Sequence, residues 1–277
     1  MIRVKYIASS LFLFMLTTLS SQTAKEFKWP NGAKAAISLT YDDGLPSHIN
    51  TVAPILKKYK FKATFYPTIS SPSIYEDIEK WRNIAQEGHE LGNHTVYHPC
   101  QKSKTGMEWV KDYHDLDKYT LEQIFEEIKI ATTFLLALDK KATRTFAYPC
   151  AHYFAGGKSY KSFIASNFIA ARGSSEKQKK LLQLSDIDLY NVPSWAPNNH
   201  SSQQIIAYIQ KIIDQKTLST LTFHGIGAEH LTVSETAHEE VLQFLDSNQD
   251  KIWVATFKEV TTYLKSERKK QTKNLKK

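Results

Sequence analysis

The sequence predicts a single α/β domain of the (β/α) barrel type with about seven βα units. Short β-branched or aromatic runs alternate with amphipathic stretches along the body of the chain, the pattern of parallel strands joined by helices. Seven such units in about 240 residues fit one barrel, an incomplete one included, better than two domains. An open doubly wound sheet is the alternative arrangement. No internal repeat is present, and no G-x-G-x-x-G or Walker loop follows the first strand-like run.

The elements follow in order. The run AAISLTY predicts a first strand over 35–41, and the amphipathic stretch after it a helix over 49–59. The aromatic run ATFYP gives a second strand over 63–67, a helical stretch covers 74–87, and HELGN gives a third strand over 89–93. The polar, aromatic-dotted segment 99–119 interrupts the rhythm after that strand, on the face where such folds carry their sites, and reads either as a substrate-lining loop or as a solvated excursion. A long apolar-periodic stretch predicts a helix over 120–138. Strands at 143–148 and 168–171 come next, followed by a helix over 203–214 and a strand over 218–224. The last helices cover 234–247 and 257–266, with a strand over 252–255 between them. The charged stretch 265–277 has no apolar partner and is expected to be a basic, disordered tail.

With 277 residues, 42% of them hydrophobic and 23% charged, the chain is long enough for a substantial core, which excludes a disordered or multi-pass membrane protein. Its net charge of +8 resides at the ends. Residues 265–277 hold seven Lys/Arg against Glu267, Arg3 and Lys5 stand at the start, and the body is near neutral, so no nucleic-acid-binding face is implied. Residues 1–22 read as a cleaved signal peptide, with a cationic start, an apolar stretch over 7–19 and small Ser20 and Ser21; an uncleaved anchor is the alternative. The expected location is therefore secreted or periplasmic, without stable membrane insertion after cleavage. Cys100 and Cys150 are the only cysteines. Export permits a bridge between them, and two buried thiols are the other reading.

Residues that carry chemistry gather at the carboxyl ends of the predicted strands, the face where barrel enzymes assemble catalysis. Tyr41-Asp42-Asp43-Gly44 ends the first strand, and Gly44 permits a turn that lets both carboxylates reach one pocket. His94 and His98 follow the third strand at a spacing that converges on one metal if the segment makes a helical turn, and Pro99 ends that turn. Tyr148-Pro149-Cys150 ends a fourth strand and His224 a late one.

On these residues the chain resembles the polysaccharide deacetylase family, carbohydrate esterase family 4, across nearly all of its mature length. Thr40-Tyr41-Asp42-Asp43-Gly44 resembles the family's first motif, His94-Thr95-Val96-Tyr97-His98 its His-[Ser/Thr]-x-x-His motif, and Tyr148-Pro149 and Leu221 to His224 its third and fifth. The resemblance implies a distorted barrel with fewer than eight regular units. It implies one divalent ion, Zn before Co, Ni or Mn, held by Asp43, His94 and His98, with Asp42 as general base and His224 as general acid. It further implies an oxyanion donor near Cys150. The family's third-motif arginine aligns with Ala147 here; Arg172 is the candidate replacement and Arg144 a more distant one. For the acid's partner carboxylate the options are Asp186 and Asp188.

Tyr41, Tyr148, Pro149, Trp195 and Trp109 are the candidates to stack on sugar or wall the acetyl pocket. The resemblance also places Cys100 and Cys150 at the rim of one pocket, so a disulfide between them is expected. The implied activity is hydrolysis of N-acetyl amides or O-acetyl esters of a poly- or oligosaccharide. A hydrolase of small cyclic amides and a non-catalytic carbohydrate-binding protein on the same fold are the competing readings. Loss of the base, the acid or a ligand would mark the latter, and all five residues are present.

Overall fold

A computed structural model describes residues 27–173 and 181–274; the expected signal segment 1–22 lies outside the described residues. The strands in chain order are β1 (Ala35–Asp42), β2 (Thr64–Tyr66), β3 (Glu90–Leu91), β4 (Phe146–Ala147), β5 (Phe154–Ala155), β6 (Lys158–Ser159), β7 (Ala171–Arg172), β8 (Ser194–Trp195), β9 (Leu218–Phe223) and β10 (Ile252–Val254). The helices are α1 (Ala53–Lys58), α2 (Pro72–Glu76), α3 (Ile78–Gln86), α4 (Leu121–Asp139), α5 (Lys161–Asn167), α6 (Ser202–Asp214), α7 (Glu235–Asp246) and α8 (Phe257–Asn274).

Parallel pairing runs from β8 through β9, β1 and β2 to β3. Parallel bridges from Asn93 to Phe146 and from Arg172 to Val192 join both ends of that sheet to the β4–β7 pair. Seven parallel strands thus close a distorted barrel. β10 pairs with residues 35–37 of β1, on the edge that β2 occupies at residues 40–42, so it fills the lower end of the seam between them. The sequence reading counts 252–255 among the barrel strands and places no strand at 194–195. The structure reverses the two, because a two-residue strand preceded by Pro193 carries no period-two signal.

Alternation along β1 sets up everything that follows. Ala35, Ile37, Leu39 and Tyr41 turn outward into the main core, shared with Leu56, Trp81, Ile209, Val241 and Leu245 of the surrounding helices. Thr40 and Asp42 turn inward, where Thr40 Oγ1 donates to the Leu221 carbonyl at 2.8 Å. Helices α4 and α6 each start on a capping box, Thr120 with Gln123 and Ser201 with Gln204, each cap contributing about 1 kcal/mol.

The helix expected over 49–59 opens with a π turn at His48–Val52, and the one over 74–87 breaks at Asp77 into α2 and α3. The expected tail differs over residues 265–274, where α8 continues through Asn274, and residues 275–277 lie outside the described residues. Arg268 anchors it by donating to the carbonyls of Leu184 and Ile187, so the basic stretch has a polar partner where an apolar one was lacking.

Candidate metal centre

The two carboxylates at the end of β1 reach one pocket because regular strand geometry stops between them. Asp42 is the last residue of β1, whereas Asp43 and Gly44 take left-handed φ values of 77° and 68°. Asp43 N–H still donates to the Tyr66 carbonyl at 3.0 Å, so the ladder continues by one rung while the side chain swings inward. A Cβ on Gly44 would stand 3.1 Å from Pro67 Cβ, and the positive φ adds strain for any other residue.

The two imidazoles converge without the expected helical turn. Residues 93–98 form a loop in which Thr95 and His98 are left-handed, with φ of 65° and 55°. Asn93 Oδ1 accepts from Thr95 N–H at 2.9 Å, and Thr95 Oγ1 accepts from His98 N–H at 3.0 Å. Glu127 of α4 accepts from Val96 and Tyr97 N–H through one oxygen and from the Tyr119 hydroxyl through the other. Local side-chain caps thus replace helical bonding.

His94 Nε2 lies 3.6 Å and His98 Nε2 3.5 Å from Asp43 Oδ1. The ligand atoms of Asp43, His94 and His98 all lie within 4.8 Å of one another. His94 Nδ1 must be the protonated nitrogen, since it donates to the Ala147 carbonyl at 2.8 Å, and Nε2 is thereby left with its lone pair toward Asp43. His94 Nε2 and Asp43 Oδ1 are buried without hydrogen-bond partners among the described residues. Such groups are costly unless something else satisfies them. Burial pushes the His98 ring down to about 4, so it is neutral at neutral pH as a ligand must be. Burial raises the Asp43 carboxyl, but the imidazoles gathered around it, His98 and the hydrogen-bonded His230 among them, hold it well below the usual carboxylate range. Two imidazoles and a carboxylate with inward lone pairs fit a divalent ion and leave coordination positions open.

Around this cluster, Arg172 at the end of β7 donates to Asp42 Oδ2 and, through Nη1, to Thr222 Oγ1 at 2.6 Å. Asp42 Oδ1 is buried and without a hydrogen-bond partner among the described residues. The Tyr66 ring stacks beneath the Arg172 guanidinium at 5.3 Å, in space left by Gly92. His224 sits at the end of β9, and burial lowers its ring pKa. Its Nδ1 has no partner among the described residues.

Cys100 and Cys150 form a disulfide that ties the His98 loop to the turn after β4. The segment 99–119 folds back beside His98. Asp115 and Asp117 cap its amides at Lys102 and Ser103, and the Trp109 ring, 58% exposed, lies 6.2 Å from the His98 ring.

Several expected residues lie elsewhere. Tyr41 is fully buried on the outer face of β1, stacked on Phe65 and Phe223 and bonded to His238, because the pleat sends it opposite to Asp42. Trp195 is likewise outward of Ser194 and packs on Tyr208 and His200. Tyr148 is 3% exposed, against Phe146 and Tyr160, with its hydroxyl on the Tyr190 carbonyl. Tyr41 and Tyr148 are thus buried, and Trp195 is partly so. Pro149 is buried at the start of the Cys150 turn. Arg144 bonds the Leu91 carbonyl and Asp139, away from Asp42. Asp186 and Asp188 bond Ser185, Lys161 and the Tyr190 N–H and neither is bonded to His224. Sequence reasoning missed His230, whose Nε2 bonds Asp43 Oδ2 at 2.7 Å, and Glu127 beneath the His98 loop. Only the closeness of His230 to His224 in the chain could have pointed to it.

Residues 30–156 match a sequence family described as polysaccharide deacetylase. A gellan lyase of Bacillus sp is 25% identical over 264 residues, covering 85% of this chain and 10% of that protein. The peptidoglycan-N-acetylmuramic acid deacetylase PdaC of Bacillus subtilis (strain 168) is 38% identical over 80 residues, covering 28% of this chain and 17% of that one. The solved structure of peptidoglycan deacetylase PdaC from Bacillus subtilis superposes with a TM-score of 0.52 at 17% identity, covering 87% of this chain and 96% of that one. The chain thus spans a small fraction of these curated relatives' length, while its fold matches a whole solved chain.

Proposed function

We propose that the chain, whose residues 30–156 match the polysaccharide deacetylase family, is an exported, metal-dependent hydrolase that removes acetyl groups from a poly- or oligosaccharide. One observation carries the reading: the ligand atoms of Asp43, His94 and His98 converge within 4.8 Å, two of them, Asp43 Oδ1 and His94 Nε2, buried without hydrogen-bond partners among the described residues, beside an Asp42 that Arg172 holds by one oxygen only.

A divalent ion bound there supplies a Lewis acid that polarises the acetyl carbonyl and makes water a nucleophile at neutral pH. The residues of the chain do the remainder. Arg172 fixes the Asp42 carboxylate through Oδ2, the oxygen that also lies 3.7 Å from His94 Nε2, and Oδ1, buried without a hydrogen-bond partner among the described residues, is the oxygen left to take the proton of the attacking water. In the Pro149–Ala151 turn, Ala151 and His152 N–H donate to the carbonyls of Tyr148 and Pro149, which makes the Cys150 amide the candidate oxyanion donor. His224 gives a proton to the leaving nitrogen or oxygen as the C–N or C–O bond breaks, releasing acetate and a free amine or hydroxyl. Trp109, exposed beside His98, is the aromatic placed to wall the acetyl pocket or to meet a sugar face. Export rests on the 1–22 segment and on the disulfide, which an oxidising compartment preserves.

The test is acetate release from a panel of N- and O-acetylated glycans, with protein stripped of metal and reloaded with Zn, Co, Ni or Mn. Release that is lost on stripping and restored by one of these ions is expected. No release from any glycan with full metal occupancy would favour a binding protein instead.

A further inference from the structure

The loop that follows β9 is built around one half-exposed imidazole. Ile226 and Val233 bridge its two arms, Gly225 N–H donates to the His230 carbonyl at 3.1 Å, and Gly227 N–H to the Val233 carbonyl at 2.8 Å. A Cβ on Gly225 would stand 1.8 Å from the Ala228 carbonyl oxygen, so the turn admits only glycine. Glu229 and Leu231, on either side of His230, both have left-handed φ, 62° and 49°. Such a conformation in a leucine persists only when its surroundings impose it. Glu229 Oε1 accepts from Ser47 N–H at 3.1 Å and Ser47 Oγ accepts from Ile226 N–H at 3.3 Å. The loop is thereby tied to the segment just after Gly44.

The strained pair delivers His230 to Asp43. Its Nε2 bonds Asp43 Oδ2 at 2.7 Å, whereas Oδ1 of the same carboxylate faces His94 and His98. A carboxylate only accepts, so Nε2 carries the hydrogen. Asp43 stands where β1 ends, in a left-handed conformation and partly open to solvent, with nothing else bonded to Oδ2 among the described residues.

We propose that His230 is a positioning residue for the metal ligand Asp43: its N–H fixes the rotation of the carboxylate so that Oδ1 is presented to the two imidazoles. The inference rests on the metal reading above and adds a residue that lies outside the motifs on which that reading was built. A hydrogen-bonded partner behind a ligand typically contributes 10- to 100-fold in metal affinity.

Wild-type, His230→Ala and His230→Gln proteins, stripped of metal and compared by near-ultraviolet circular dichroism, are titrated with Co(II) against a competing chromophoric chelator. The expected result is a 10- to 100-fold weaker Kd for His230→Ala, with most of the loss recovered in His230→Gln, whose amide can donate the same bond. An unchanged Kd in His230→Ala, or an equal loss in both variants, overturns the inference and leaves the metal reading intact. Wild-type protein that binds no stoichiometric Co(II), or binds it equally well after His94→Ala, overturns the metal reading and this inference with it. If His230→Ala does not fold, His230→Phe against His230→Gln gives the same comparison of ring without donor and donor without ring.

Discussion

Arg172 and Asp42, 130 residues apart in sequence, form a buried ion pair across the mouth of the barrel. The pair joins the ends of β7 and β1, and Thr222 of β9 takes the second arm of the guanidinium. Removing the cation leaves a buried carboxylate uncompensated, a change that costs about 3 to 5 kcal/mol. Arg172→Ala is therefore expected to lose at least about 3 kcal/mol in urea unfolding. Asp42→Asn, which keeps the shape and removes the base, should retain the metal and lose roughly 100-fold or more in acetate release. Near-normal turnover in Asp42→Asn would refute the assignment of the base.

If Asp43, His94 and His98 are the ligands proposed, metal binding is expected to depend on the two imidazoles more than on any residue behind them. The His94→Ala, His98→Ala double variant deletes two of three ligand atoms from the cluster and is expected to hold no ion at stoichiometric metal, read by elemental analysis after gel filtration. Full occupancy in that variant would sink the ligand assignment.

The sequence made the barrel, the strand-end placement of the site and the Asp43, His94, His98 cluster legible, because each rests on local pattern: apolar alternation, a motif, a strand boundary. Misplaced residues share a different cause. Tyr41 and Trp195 neighbour inward-facing residues, Asp42 and Ser194, and a pleat reverses facing at every step. Their rings are therefore committed to the helix layer, a fact that needs the register of the strand and not its composition. His230 and Glu127 were hidden for another reason. Each acts through a contact made far away in sequence, and neither belongs to a spacing that chemistry alone demands.

Three imidazoles outside the ligand set make stability depend on pH. Burial pushes His48 down to about 4, His89 to about 4 and His238 to about 3. Well above about pH 6.5, from roughly pH 7.5 upward, each is neutral in both folded and unfolded chains and contributes no pH dependence. As pH falls from there toward 4, the unfolded chain takes up protons that the folded one refuses, so stability falls by at most about 1.4 kcal/mol per pH unit for each ring. Urea unfolding between pH 7 and 4.5 should show that slope, and His238→Gln should reduce it by the share of one ring. A flat profile across this window would contradict the buried neutral state.

The disulfide is expected to couple the redox state to the proposed metal site. Cys100 lies two residues after His98, and its Sγ stands 3.6 Å from His98 Nδ1, while Cys150 lies in the turn that follows β4. The bridge spans 50 residues of sequence, so by chain entropy it contributes about 4 kcal/mol through the unfolded state. Thiol titration of denatured, unreduced protein should find no free thiol, and digestion should yield the two peptides linked; two free thiols per chain would refute the bridge. Reduction should then lower the urea midpoint and weaken Co(II) binding together, since the loop that carries His98 loses its covalent tie. A reduced protein that loses stability yet keeps its metal affinity would show that hydrogen bonds from Thr95 and Glu127 suffice to hold the ligand loop, and that the bridge serves the fold alone.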